Sequence, residues 1–178
     1  MRLVAFLRAI NVGGHTVAME ALRREFAALG LDDVETFIAS GNVIFSAKPG
    51  ALPLLERKIE ARLLGSLGYE VKTFLRTAEE VAAIARHRAF PEARLRDAGA
   101  FCVGFVAEPL EPAARRSLAA LRSDVDDFHV QGREVYWLCK LRQSESKFSN
   151  VKLEKALGIS STFRGVPTIV KLAAKYGW

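Results

Sequence analysis

Short apolar runs alternate with amphipathic segments along the first half of the chain. Residues 3–8 form an apolar run that breaks into a glycine loop, which is typical of a strand followed by a turn. The periodicity then predicts a helix at 17–29, strands at 34–38 and 42–45, a helix at 52–67 and a strand at 69–75. Thr16 is the predicted N-cap of the first helix, and Gly30 its stop. The order β-α-β-β-α-β is that of a ferredoxin-like unit.

The second half repeats much of this order without visible sequence identity. After a connecting helix at 79–88, it predicts a strand at 101–106, a helix at 112–121, strands at 127–130 and 134–138, and helices at 148–157 and 166–176. The sequence therefore predicts an α+β fold of two tandem antiparallel-sheet subdomains. The first is ferredoxin-like and covers residues 1–77. The second is a related β-α-β-β-α-α unit that covers residues 78–178 and packs on the first.

Both faces of the first predicted sheet carry large apolar side chains. Phe6 alternates with Leu7, and successive side chains of a strand point to opposite faces of the sheet. The two helices cover only one face, so the other face must also be covered. We expect the second subdomain to cover it, and a partner protein or stacked nucleotide bases are the alternatives.

Composition narrows the class of protein. The chain has 178 residues, 50% apolar and 26% charged, with a formal net charge of +6. Residues 140–178 contain eight basic and two acidic side chains, so their net charge equals that of the whole chain. A local excess of positive charge attracts anions; the alternative is a helix face that is only solvated. No apolar run approaches the ~20 residues of a membrane span. Two cysteines are too few for a disulfide scaffold, so we expect a cytoplasmic protein without membrane contact.

Several stretches spread over the chain carry a family resemblance. They read FLRAINVGG at 6–14, IASGNVIF at 38–45, GREVY at 132–136, LEKALG at 153–158 and TIVKL at 168–172, with Ser146-Lys147 between them. On these stretches the sequence resembles the bacterial family described as domain of unknown function 1697. The resemblance spans nearly the entire chain and implies no particular activity.

The chain departs from the family pattern before the final predicted helix. Members typically carry Thr-Arg-Asn-Trp there, whereas this chain reads Thr162-Phe163-Arg164-Gly165-Val166. The resemblance implies that Arg164 keeps the arginine of the family, without the Asn and Trp beside it.

The loop after the first strand is one candidate binding site. Glycines allow a tight turn, and the start of the next helix presents free N–H groups with a partial positive charge. An anion could bind beside the polar and glycine residues of this loop, which are Arg8, Asn11, Gly13, Gly14 and His15. Tight-turn packing is the alternative interpretation.

The predicted hairpin turn adds two short polar side chains. Ser40 and Asn42 are suited to hydrogen bonds with their own backbone in a plain turn, and that is the preferred interpretation. In the functional alternative they complete the ligand site of the glycine loop. Which sheet edge each loop occupies is not fixed by the sequence.

The basic C-terminal segment holds the remaining candidates. Ser146 and Lys147 precede one predicted helix, and Arg164 precedes the next. A hydroxyl and a cation at a helix start suit a phosphate or a carboxylate, although such residues are also ordinary N-caps. Lys and Arg oppose the helix macrodipole there unless an anion compensates.

Catalytic and cofactor patterns are weak. The sequence contains no phosphate-binding G-x-x-x-x-G-K-[ST], no dinucleotide-binding G-x-G-x-x-G and no G-x-S-x-G nucleophile elbow. Asp127 and His129 would share one strand face, but no third metal ligand can be named, so we expect neither a metal nor another cofactor. Cys102 and Cys139 fall in predicted strands, where a buried thiol is inert.

The preferred function is a binding module for a phosphate-bearing ligand or nucleic acid. Phe6 and Phe45 lie on the central strands, as do the base-stacking aromatics of RNA-recognition modules. The aromatic-rich third strand of those modules is missing, so we predict that both rings are core.

Two other function classes stay open. One is an enzyme for a small anionic metabolite, with Arg8, Lys147 and Arg164 as clamps and His15 as general base. The other is an oligomeric protein-interaction subunit that pairs through a sheet edge or an apolar face. The first two functions require the cations near the closing helices to meet the glycine turn after the first strand.

Overall fold

The computed structural model describes residues 1–11, 14–38 and 41–178 of the chain. They form two compact units, Met1–Ala83 with Tyr176–Trp178, and Ile84–Lys175. Each unit contains one four-stranded antiparallel sheet with helices between its strands. The predicted α+β class with two tandem subdomains is confirmed.

The first unit follows the predicted element order. Its elements are β1 (Arg2–Leu7), α1 (Met19–Ala27), β2 (Asp32–Thr36), β3 (Asn42–Ser46), α2 (Leu52–Leu67) and β4 (Thr73–Thr77), and α3 (Ala78–Arg86) comes next. The strands lie in the order β2-β3-β1-β4, which is the arrangement of a ferredoxin-like unit. The prediction that Thr16 caps α1 is wrong, because the helix begins at Met19 after Ala18.

Side chains of α2 protect the outer edge of β4. This strand begins at Thr73, later than predicted. The carboxylate of Glu60 accepts the N–H of Thr73 (3.0 Å), and that of Glu56 accepts the N–H of Leu75 (2.8 Å). Helix carboxylates, instead of another strand, therefore satisfy these edge amides.

The opposite edge of the first sheet is irregular. The register of β2 against β3 shifts between Asp32 and Glu35, and Asp33 adopts a positive φ of 49°. One extra residue in an edge strand bends that strand and interrupts its ladder of hydrogen bonds, as a β-bulge does.

Both faces of the first sheet are buried. The helix side packs side chains of β1, β3 and β4 against the two helices, including Leu3, Leu7, Leu22, Phe26, Phe45, Ile59 and Leu63. On the other face, Val4, Phe6, Ile44, Phe74 and Arg76 are each at most 2% exposed. This confirms that neither face is open to solvent and that Phe6 and Phe45 are core residues.

The second unit repeats the same strand arrangement. Its elements are α4 (Glu92–Arg96), β5 (Ala100–Phe105), α5 (Pro112–Ala119), β6 (Asp126–Gln131), β7 (Glu134–Cys139), a 3₁₀ turn (Gln143–Glu145), α6 (Asn150–Leu157), β8 (Thr162–Gly165) and α7 (Val166–Tyr176). The strands lie in the order β6-β7-β5-β8. Among the described residues, no helix has both the length and the apolar character that a membrane span needs.

The sequence pattern missed the strand β8. The second unit is β-α-β-β-α-β followed by α7, and the predicted order β-α-β-β-α-α is wrong at this point. β8 has only four residues, pairs with β5 alone at the edge of the sheet, and ends at Gly165. A polar strand this short, directly before a helix, has the same sequence pattern as a helix cap.

Candidate functional site

An open groove of about 550 Å³ lies on the helix-facing side of the second sheet. Its inner wall consists of Trp137 from β7, Phe148 from the segment before α6, and Phe163 from β8. Its polar rim consists of Gln143, Ser144, Ser149 and Asn150. We call these seven residues the aromatic groove. Volumes of about 300–1,000 Å³ are usual for small-molecule sites, so the groove has room for a metabolite.

Phe163 packs edge to face against the two other rings of the groove. The Phe163 ring is nearly perpendicular to Trp137 (85°, centroids 6.3 Å apart) and to Phe148 (81°, 6.0 Å). Trp137 and Phe148 are tilted by 53° with centroids 4.7 Å apart. Such pairs hold rings in fixed orientations. The aromatic wall is therefore a rigid surface, with Phe163 as its most exposed ring.

A glycine of β5 creates the space for Phe163. Gly104 pairs with Phe163 across the strands, and an added Cβ would lie 2.6 Å from Cζ of the ring. The φ of Gly104 is not in the left-handed region, so glycine is needed here for close approach and not for backbone freedom. The tip of the ring can approach β5 this closely only because no side chain is present.

A buried carboxylate anchors the segment between β7 and α6. Asp126 Oδ1 accepts hydrogen bonds from Trp137 Nε1 (2.8 Å) and from the Ser146 hydroxyl (2.8 Å). The Ser123 hydroxyl donates to Oδ2 (3.1 Å), and Ser146 in turn accepts the N–H of Phe148 (2.9 Å). Asp126 thereby fixes two of the three aromatic residues of the groove, one directly and one through Ser146.

The N-terminus of α6 lies at the rim. Ser149 is the N-cap, and its hydroxyl accepts the N–H of Lys152 (3.3 Å). The Asn150 side chain is occupied by Ser161, donating to its carbonyl (2.9 Å) and accepting from its hydroxyl. Lys147 and Lys152 are exposed, and within the described part of the chain neither takes part in an ion pair. Two lysines without an ion-pair partner among the described residues therefore lie in and just before the first turn of this helix.

The candidates of the glycine loop lie in the first unit, where several have structural roles. The Asn11 carboxamide oxygen accepts the N–H of Val17 (2.8 Å), and the backbone N–H of Arg8 donates to the carbonyl of Lys72 (2.8 Å). His15 is exposed and stacks on Tyr69 with 4.0 Å between ring centroids. Gly14 has a φ of 85°, and Gly13 lies outside the described residues.

The hairpin turn and the glycine loop lie at the same end of the first sheet, where β1 ends and the neighbouring strand β3 begins. The carbonyl of Gly41 accepts the N–H of Leu7 (2.8 Å), and a Cβ on Gly41 would lie 2.7 Å from the side chain of Ile10. Asn42 is buried and donates its amide to the carbonyl of Phe37 (2.9 Å), so it holds the hairpin. Ser40 lies outside the described residues. The structure brings the two loops together, with both asparagines engaged in backbone bonds.

The C-terminal candidates do not form one group. Ser146 binds Asp126 on the helix-facing side of the second sheet. Arg164 lies on the other face, since strand side chains alternate and Phe163 faces the groove. Arg164 is 9% exposed, and its guanidinium donates to Thr162 and to the carbonyl of Phe163. Burial lowers its pKa to about 10, still well above neutral pH.

Asp127 and His129 lie on one face of β6 but have different partners. Asp127 forms ion pairs with Arg94 (2.9 Å) and Arg122 (2.8 Å). Burial acts to raise the Asp127 pKa, but hydrogen bonds and the two arginines outweigh it and lower the value. His129 stacks with His87 instead (5.2 Å). Within the described residues, no cluster of three or more His, Cys, Asp or Glu side chains is arranged to hold a metal.

Ser146 and Lys147 were predicted as site residues and immediately precede Phe148 of the aromatic groove, but its three rings were not predicted. Trp137, Phe148 and Phe163 are far apart in the sequence and belong to three different elements. The available signal was Gly104, an isolated glycine in a predicted strand, which often marks close approach of another group.

Comparisons with known proteins identify the family without an activity. The fold is similar to that of the solved conserved bacterial protein SP0830 from Streptococcus pneumoniae, with a TM-score of 0.74 and 23% identity over 99% of this chain and 98% of that one. No curated protein matches the chain. The model of the family "Protein of unknown function (DUF1697)" matches residues 1–136, and the aromatic groove lies beyond that range. The chain therefore belongs to the DUF1697 family.

Proposed function

We propose that the protein is a binding module for a small phosphate-bearing molecule and that the aromatic groove is its site. The main support for this proposal is that the groove lies at the N-terminus of α6, within the most basic part of the chain. Free N–H groups at a helix start and a positive helix dipole favour an anion. A cytoplasmic setting belongs to the same proposal.

The charges near the groove support an anionic ligand. Lys152 lies in the first turn of α6, and no acidic residue accompanies it there. A cation at this end of a helix is unfavourable unless a negative group balances it. A bound phosphate would balance it and would also accept hydrogen bonds from the rim hydroxyls of Ser144 and Ser149.

This proposal differs from the grouping expected from the sequence. Arg164 faces away from the groove and is buried, so it is not one of the ligand contacts. Ser146 acts indirectly, because its hydroxyl binds Asp126 and orders the segment that carries Phe148. Lys147 remains a proposed contact from the predicted set.

A thermal-shift panel tests the function. Nucleotides, sugar phosphates and inorganic phosphate are compared with their unphosphorylated counterparts, because a ligand of the native state raises the melting temperature. At least one phosphorylated compound is expected to raise it when its unphosphorylated counterpart does not. The double substitution Lys147→Gln with Lys152→Gln should abolish the shift.

The matched control is Lys155→Gln with Lys171→Gln. It removes the same charge from the same basic segment at two exposed positions, one in the last turn of α6 and one in α7. This variant should keep the shift at physiological salt. An equal loss of the thermal shift in both double variants would show that the shift depends only on net charge, which would contradict a phosphate site at the groove. A panel without any shift at saturating concentration would overturn the proposal.

A further inference from the structure

We infer that the ligand of the aromatic groove is a nucleoside phosphate, with its base against the aromatic wall and its phosphate at the N-terminus of α6. The inference rests on the proposed function and names its ligand class. It follows from the juxtaposition of two unlike surfaces in one groove, an apolar aromatic wall and a positive helix end.

The wall requires an apolar and flat part in the ligand. Phosphate alone would gain nothing from contact with Trp137, Phe148 and Phe163, since desolvating an anion against apolar rings is unfavourable. A nucleobase has two apolar faces and is thin enough to pack against a ring. Base stacking on aromatic side chains is a general source of affinity in nucleotide recognition.

Phe163 is the ring on which we expect the base to stack. It is partly exposed, whereas Trp137 and Phe148 are 2% and 7% exposed and form the floor. Its orientation is fixed by Gly104 beneath it and by perpendicular contacts with the two other rings. A ring held in this way loses little entropy when a base stacks on it.

The rim supplies polar groups for the edges of the base. Gln143 and Ser144 are exposed on the 3₁₀ turn beside the wall. The carboxamide oxygen of Gln143 accepts a weak hydrogen bond from the Cys102 thiol (4.0 Å), so we assign its amino group as the donor toward the base. The carboxamide of Asn150, at the other side, is already bound to Ser161. We therefore assign recognition of the base to the 3₁₀ turn and recognition of the phosphate to α6.

Calorimetric titration of the full chain separates the two parts of the ligand. The probes are AMP, adenosine, which lacks the phosphate, and ribose 5-phosphate, which lacks the base. AMP is expected to bind at least tenfold more tightly than either. Phe163→Leu should weaken AMP by about 5- to 100-fold, as loss of one stacked base contact does, and leave ribose 5-phosphate unchanged.

Charge variants check the other end of the ligand. Lys147→Gln should weaken AMP and ribose 5-phosphate and leave adenosine unchanged, whereas Lys155→Gln, in the last turn of α6, should change none of them. Circular dichroism melts of each variant establish that it is folded. If Phe163→Leu is unfolded, Gln143→Ala provides the base-side test, with loss expected for AMP and adenosine only.

Each outcome is decisive. Equal affinity for AMP and ribose 5-phosphate, or AMP binding that survives the base-side substitution, would overturn the nucleotide inference and leave the phosphate-binding function standing. No binding of any phosphorylated compound would overturn both. If a 5′-phosphorylated oligonucleotide binds as tightly as AMP, the inference is supported, and the natural ligand can then be the 5′-terminal nucleotide of a nucleic acid.

Discussion

Gly104 and Phe163 face each other across two strands, and a methyl group on Gly104 would lie 2.6 Å from the ring of Phe163. Three atoms of the ring are closer than 3 Å to that position, so the ring and the methyl group cannot both occupy it. The glycine therefore determines where an aromatic residue of the groove lies.

Gly104→Ala is expected to destabilise the protein by about 1–3 kcal/mol, the usual cost of overpacking a filled site. Urea denaturation measures the change. In Phe163→Ala the same glycine substitution should cost less than half as much, because the clashing ring is absent. Gly65→Ala serves as the control: nothing lies near Gly65 within α2, so alanine should stabilise by about 0.5–1 kcal/mol. Equal costs in both backgrounds would contradict the assigned clash.

Ser146→Ala is expected to destabilise the protein by about 1–3 kcal/mol. The substitution removes the hydroxyl donor from the buried carboxylate of Asp126 and the acceptor from the N–H of Phe148. Ser144→Ala, two residues away on an exposed side chain, should change stability by less than about 0.5 kcal/mol. Similar small effects of the two substitutions, measured in urea, would show that the contact of Ser146 with Asp126 contributes little.

The stability of the protein is expected to fall as the pH decreases below about 6.5. Burial, with a smaller contribution from neighbouring His129, lowers the pKa of His87 from its ordinary value of 6.5. The unfolded chain then binds more protons than the native state in this range, so acid favours unfolding. His87→Gln should flatten the dependence between pH 5.5 and 7.5. Urea denaturation at a series of pH values measures the slope, and an unchanged slope in His87→Gln would contradict this role of His87.

Both thiols are expected to be unreactive in the native protein. Cys102 and Cys139 are buried, and burial raises the pKa of Cys102 to about 11 and that of Cys139 above its ordinary value. Only the thiolate is nucleophilic, and it is scarce at pH 8. Ellman's reagent should therefore find no fast thiol in the folded chain and two in urea. A fast thiol without denaturant would contradict this burial.

Periodicity predicted the elements whose apolar side chains face a single core. The helix α2 was expected at 52–67 and lies at Leu52–Leu67, because Ile59 and Leu63 repeat at helical spacing and Gly68 ends the helix. Elements fixed by side-chain contacts were shifted or missed. β4 begins at Thr73, where the carboxylates of α2 engage its amides, and no local pattern announces such a contact.

The candidate site was harder to predict than the fold. Ser146 was singled out as a helix-start hydroxyl, and its partner Asp126 lies 20 residues away on β6. Arg164 was grouped with surface cations because β8 was not recognised; as a strand residue it points to a buried face. The separation of this arginine from Phe163 is a consequence of strand alternation, which becomes readable only once the strand is known.

The carboxylates that bind the outer amides of β4 limit how copies of this chain could associate. Fibril growth and strand exchange need an edge with unsatisfied amides, and the Thr73 and Leu75 amides are already bound to Glu60 and Glu56. At the other border of this sheet, β2 is irregular near the exposed Asp32 and Asp33. Association of this unit by adding strands would therefore first have to break internal bonds or bury acidic side chains, so its edges oppose self-templated aggregation.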